Sequence, residues 1–228
     1  MLLVNGLLLV SRVRWMTMSR ANANIRQVLP KHEFLAGRIS LDFCNTLSRM
    51  RNDPDRALTP PDFFGWAQRC GMGLDREPGA QALTRLHDLR AALFGILEAV
   101  VEERAPAAHD LSILNKELAD ARTAERLVPT EEGFLLADSA PATIDRFRHT
   151  VARDAADLLT GDLRRVKRCP DHDCLWLFRD GSKNLSRRWC AMDDCGARDK
   201  VRRFRGKAET RARRVEKSIA ALREGRIR

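Results

Sequence analysis

Four of the six cysteines are grouped late in the chain: Cys169, Cys174, Cys190 and Cys195. Their spacing is C-x4-C, fifteen residues, then C-x4-C. Each short loop turns the backbone so that two thiolates point at one centre. The longer insert brings the second pair round to complete a tetrahedron, which is the ligand pattern of a zinc site. Four soft ligands of one type leave no open position, so the pattern calls for one structural Zn²⁺ rather than a catalytic one. Its binding free energy then becomes folding free energy for a segment too short to build its own core. Two disulfides are the competing chemistry, and they suit a small secreted chain. This chain has no convincing secretion signal and carries two further isolated cysteines, Cys44 and Cys70, which fits a reducing cytoplasm better. His172 lies inside the first loop and could replace one thiolate, a swap that four cysteines make needless.

No second chemical constellation competes with this one. There is no thioredoxin-like C-x-x-C, no H-E-x-x-H, no G-x-S-x-G and no Gly-rich phosphate loop, and the five histidines are scattered. The chain therefore reads as a protein other than an enzyme. Cys44 and Cys70 have no partner at ligand spacing, so each reads as a buried thiol packing as a small apolar group. Asp42 and Asn45 could cap, bind a ligand or hold the fold.

Charge placement gives the cysteine segment a partner class. The chain carries 41 Lys+Arg against 31 Asp+Glu, a net charge of +10. Residues 161 to 228 hold 21 of the basic and 10 of the acidic residues, leaving the first 160 with 20 and 21. A near-neutral body with a basic end is the footprint of a module that meets phosphate. Val201, Phe204, Ala208, Val215, Ile219 and Leu222 recur at helical spacing, with an interruption allowed near Gly206. Lys200, Arg202, Arg203, Arg205 and Lys207 line the other face, and a helix fits the DNA major groove. Arg187, Arg188 and Arg198 sit beside zinc ligands on backbone the metal would hold rigid, which makes them candidates for base contacts. DNA is thus the expected partner. An RNA-binding factor, or a zinc-stapled module meeting an acidic protein, would use the same residues. The terminal apolar stripe would serve a homodimer or dock on the body.

The string RCPDHDCLWLFRDGSKNLSRRWCAMDDCGAR resembles the CGNR zinc finger of bacterial proteins predicted to be stress-induced transcription regulators. The matching residues are Cys169, Cys174, Leu175 to Phe178, Asp180, the SRRWC run at 186 to 190, Met192, Cys195, Gly196 and Arg198. It departs at Ala197, where the family pattern has Asn. Upstream, FLAGRISLDFCNTL is similar to the opening of the domain called ABATE that precedes these fingers. The resemblance implies a sensor or ligand-binding role for that domain and a regulatory, DNA-binding role for the whole.

The elements that must position the finger follow from periodicity. Thr59 before Pro60-Pro61 predicts a helix start, with Phe63, Phe64, Ala67 and Cys70 on one face. Leu83, Leu86, Leu89, Leu93, Ile96 or Leu97, and Val100 predict a long helix. A shorter one follows Asp110, with Leu111, Leu114 and Leu118 inward. Leu127-Val128 and Phe134 to Leu136 flank a Glu-Glu-Gly turn and predict a β-hairpin. Ile144, Phe147, Val151, Ala155 and Leu158 predict another helix ending near Gly161. Trp176, Phe178, Trp189 and Phe204 are expected to form a small core around the metal. The fold class is therefore α+β: a mainly helical N-terminal domain with one hairpin over 32–160, a small treble-clef-like zinc finger over 161–210, and a basic helical tail over 211–228. MLLVNGLLLV is too short to span a bilayer, and residues 1–31 read as a disordered extension or an over-extended start.

Overall fold

A computed structural model describes residues 34–46, 59–141 and 143–223 of the chain. The expectations for residues 1–31 lie outside them. From Phe34 onward the described residues belong to one compact unit. Among the described residues six α-helices run in the order α1 (Ile39–Cys44), α2 (Pro60–Arg69), α3 (Ala80–Val101), α4 (Ala108–Ala124), α5 (Thr143–Leu159) and α6 (Ala197–Arg223). A hairpin of β1 (Glu125–Thr130) and β2 (Gly133–Asp138) joins α4 to α5. A smaller hairpin of β3 (Val166–Arg168) and β4 (Leu177–Arg179) follows a single 3₁₀ turn after α5. The mainly helical α+β architecture with a terminal cysteine-bearing finger is thus present. Among the described residues no helix is long and apolar enough to cross a membrane.

Local signals place the helices. Thr59 caps α2 by accepting from the Asp62 N–H at 3.4 Å and donating to its carboxylate at 2.7 Å, with Pro60 in the first turn where its missing N–H costs nothing. The leucine stripe of α3 is buried from Leu86 to Leu97 and forms the centre of the body. Around it Phe43, Phe63, Trp66 and Phe147 pack largely edge to face, with centroids 5.0 to 6.3 Å apart. Each fully buried ring contributes roughly 2–3 kcal/mol of transfer free energy.

In α4 the inward face differs from the apolar reading. Leu114 is buried, but Leu111 is exposed and Glu117 is buried instead. Glu117 pairs with the buried Arg148 of α5, which also binds Asp145, while Arg85 of α3 reaches Glu117 and Asp120 at 3.0 Å. A charge network across three helices is invisible to a pattern that counts only apolar residues.

The finger is welded to the body rather than tethered. The Asn45 side chain, at the end of α1, donates to the Leu177 carbonyl at 2.8 Å and accepts from the Leu177 N–H at 3.0 Å. It thereby pairs with β4 as a neighbouring strand would. The Arg179 N–H donates to the Ala36 carbonyl at 2.8 Å. Of the roles open to Asn45, the one observed is holding the fold. One continuous buried cluster runs from Phe43 and Trp66 through Leu177 and Phe178 to the four cysteines.

Candidate metal centre

β3 and β4 form the first knuckle. Cys169 directly follows β3, its N–H donating to the Trp176 carbonyl at 2.8 Å, and the Cys174 N–H closes the loop on the Asp171 carbonyl at 2.9 Å. Leu175 adopts φ of 55°, which swings the chain back into β4. The second pair lies at the other end of the finger. Cys190 ends an irregular segment, and Cys195 lies in a single wide turn over Met192–Gly196 that leads into α6. A Cβ at Gly196 would stand 2.4 Å from the Met192 sulfur and 3.2 Å from the Trp189 ring, so both side chains would have to shift to admit one. The four Sγ atoms lie within 4.8 Å of one another and all four residues are buried. Cys190 is 3.4 Å from Cys174 and 3.5 Å from Cys195, sulfur to sulfur. Sulfurs at the corners of a zinc tetrahedron stand about 3.8 Å apart, so the donor set and its size fit the ion.

Without a cation this cluster cannot ionise fully. Hydrogen bonds from Cys174 and Cys190 draw the Cys169 thiol well below its usual range, and hydrogen bonds to Cys169 and Cys174 push Cys190 up. A divalent cation reverses that logic by stabilising every thiolate at once. His172 stays outside the set. It is half exposed and contacts Asp171 and Arg202.

A charged shell orients the ligands. Asp171, fully buried between the first two cysteines, accepts from Arg198 Nε at 2.9 Å and Arg202 Nη1 at 3.1 Å. Burial pushes its carboxyl up, but these guanidinium bonds outweigh that and hold it well below the carboxylate range. Arg198 also binds Asp194 at 2.8 Å and the Cys195 sulfur at 3.0 Å, so the first turn of α6 is fixed to the first knuckle. Asp180, also fully buried, accepts from Lys167, from the Ser182 N–H and hydroxyl, and from the Arg187 N–H. Burial opposes its ionisation, yet the Lys167 and Ser182 bonds hold its carboxyl low.

The predicted phosphate-contacting residues divide by geometry. Arg187 faces inward. Its guanidinium donates to the carbonyls of Trp189, Arg179, Leu35 and Cys190 and lies 4.6 Å over the Phe178 ring. Arg198 and Arg202 are held at Asp171, and Arg203 pairs with Asp199 at 2.7 Å. Arg188 is exposed and stacks on Trp189 at 4.9 Å. Lys200, Arg205 and Lys207 are exposed and make no ion pair among the described residues. They stand on α6, which continues unbroken through Gly206 and is exposed along most of its length. Phe204 is 74% exposed, which corrects its assignment to the metal core: α6 leaves the finger after its first turn and takes Phe204 with it. Phe178 and Trp189 are buried and Trp176 is partly so. Asp171, Lys167 and Asn45 are the positioning residues that the sequence reading left unassigned. The signal for Asp171 was an acidic residue inside the cysteine loop with Arg198 one turn past the last cysteine.

Two family models match the chain. ABATE, described as "Putative stress-induced transcription regulator", matches residues 37–162, and the CGNR zinc finger matches residues 165–208. No curated protein matches it.

Proposed function

This chain belongs to the ABATE family with a CGNR zinc finger, and from that premise we propose that it is a DNA-binding transcription regulator whose finger holds one structural zinc ion. Cys169, Cys174, Cys190 and Cys195 would hold the ion, which when bound neutralises the thiolates and locks the two knuckles together. Asp171 and Arg198 keep the last two ligands and the start of α6 in one orientation. The carrying observation is α6. It is a 27-residue helix, about 40 Å long, whose exposed side chains include Lys200, Arg205, Lys207, Arg211, Arg213, Arg214 and Lys217. Cations in that number on one exposed rod can meet several duplex phosphates at once and gain affinity by releasing their counterions. Arg188 stands next to the ligand Cys190 on backbone the metal would fix, and is the best-placed side chain for a base edge. The body serves as the sensor that couples a stress signal to the finger, through α1, Asn45 and β4, in the bacterial cytoplasm. The protein catalyses no reaction in this reading.

The test is fluorescence anisotropy of the zinc-loaded protein on duplex DNA, duplex RNA and single strands over a range of salt. Each phosphate contact contributes about 0.9 to the slope of log K against log salt. Changing Lys200, Arg205 and Lys207 together to Ala should therefore reduce the slope on duplex DNA by about 3. Absence of binding at low salt, or an unchanged slope in the triple variant, sinks the proposal. A preference for RNA redirects it.

A further inference from the structure

The β1–β2 hairpin stands out from the body with its apolar residues in solvent. Leu127, Phe134 and Leu136 are 67%, 73% and 57% exposed, and Val128 and Leu135 are also exposed. Among the described residues the sheet has two strands, and two strands with uncovered faces are marginal in water. An exposed apolar hairpin of this kind marks an interaction surface.

The register tells which edge is open. Thr130 pairs with Gly133 across the Glu131-Glu132 turn, and the Ser139 N–H donates to the Ala124 carbonyl at 2.9 Å. Hydrogen-bonded pairs therefore fall at 130–133, 128–135 and 126–137, and the N–H and C=O groups of Phe134, Leu136 and Asp138 point away from β1. On the opposite edge the corresponding position to Phe134 is Pro129, which has no N–H to offer. One edge can take another strand along its length, and the other is interrupted by a proline.

We propose that β2 pairs antiparallel with β2 of a second copy of this chain, forming a four-stranded sheet with Leu136 on the two-fold axis. Charge selects both the occupant and the register. With Leu136 opposite Leu136 of the second copy, Phe134 meets Asp138 and Leu135 meets Ala137, and no like charges face each other. Moving the axis to Leu135 sets Asp138 opposite Glu132, a like-charge pair that disfavours that register. In the Leu136 register the acidic tip, Glu131-Glu132, reaches the base of the other hairpin. At that base the carboxylates of Glu125 and Asp138 are taken up by Arg153 at 3.0 and 2.7 Å, and two further guanidiniums stand beside them: Arg146 donates to the Ala140 carbonyl at 2.5 Å, and the exposed Arg126 donates to the Thr123 and Glu125 carbonyls. The match is reciprocal under a two-fold, as an isologous interface requires. Pro129 then lies on both outer strands, so growth is discouraged beyond two copies.

The test uses the full-length, zinc-loaded protein and reads mass, so it does not depend on DNA binding. Light scattering after gel filtration at micromolar concentration should give the mass of two chains. Leu136→Lys should give the mass of one, with zinc content unchanged because Leu136 lies on the surface away from the cysteines. Leu136→Cys should cross-link two chains under mild oxidant, since residues in a hydrogen-bonded pair stand about 5.5 Å apart at Cα, within disulfide range. Leu127→Cys, on the outer strand, should not. This cross-link decides the matter should Leu136→Lys fail to fold. A single-chain mass for the unmodified protein overturns the proposal. So does a dimer that survives Leu136→Lys with no Leu136→Cys cross-link, which would move the interface to the apolar stripe of α6.

Discussion

Changing Arg187 to Ala separates a structural staple from a nucleic-acid contact. The guanidinium donates to Leu35 at 2.7 Å, to Cys190 at 2.5 Å, to Trp189 at 3.1 Å and to Arg179 at 3.2 Å. Leu35 belongs to the body and Cys190 is a candidate zinc ligand, so one side chain ties both parts together. A hydrogen bond to a charged group contributes about 1.5–3 kcal/mol, and the bonds of one half-buried side chain do not add in full. Their joint loss should cost about 3–5 kcal/mol, a large share of the stability of a domain. For a chain of this size each kcal/mol moves the midpoint by about 2–4 °C, so the thermal midpoint should fall by about 10 °C. Lys should recover only a minor part, because a single ammonium cannot span four carbonyls and lacks the planar fork. The assay is thermal unfolding followed by circular dichroism, with zinc content measured alongside and Arg188→Ala as the control. Arg188→Ala should stay within about 0.5 kcal/mol of the parent while weakening DNA binding. A midpoint for Arg187→Ala within about 2 °C of the parent, together with lost DNA binding, would refute the reasoning and return Arg187 to the duplex-facing surface.

Burial pushes the Asp42 carboxyl up from 3.8 to about 7, against the Ala36 N–H bond that favours its charge. Between those values the native state holds a proton that the unfolded chain has lost, so this group's contribution to stability falls as pH rises, by up to about 4 kcal/mol in total. Asp42→Asn should remove that fall, and unfolding midpoints for both proteins at pH 5 and pH 8 that change in parallel would contradict it. Stripping the metal with a chelator should lower the midpoint of the whole described unit in one transition, because the cysteines and the body share a buried cluster. Two separate calorimetric transitions would show instead that body and finger unfold independently.

Much of the fold was legible because its signals are local. The Thr59-Pro60 start, the α3 leucine stripe and the β1–β2 turn depend on residues a few positions apart, and each element appears where those residues place it. The readings that changed all concern what lies opposite an element. Leu111 fits the apolar stripe of α4 as well as Leu114 does, yet Glu117 takes the inward position because Arg148 on α5 meets it there. Phe204 fits an aromatic core by type, yet α6 carries it into solvent. The interruption that Gly206 allows does not occur, because its neighbours keep the helix continuous through it.

By itself the sequence determined the metal-binding character of this protein and its charge. Thiolate spacing of C-x4-C is a property of short loops, and net charge needs no coordinates at all. Tertiary structure alone decided which arginines are left for a partner. Arg187, Arg188 and Arg198 look alike in the chain, all flanking cysteines. Only the carbonyls of Leu35 and Arg179 and the carboxylate of Asp171, brought in from 152, 8 and 27 positions away, turn two of them inward and leave Arg188 at the surface. A guanidinium's role is set by which acceptors surround it, and those acceptors are assembled by packing rather than by sequence neighbourhood.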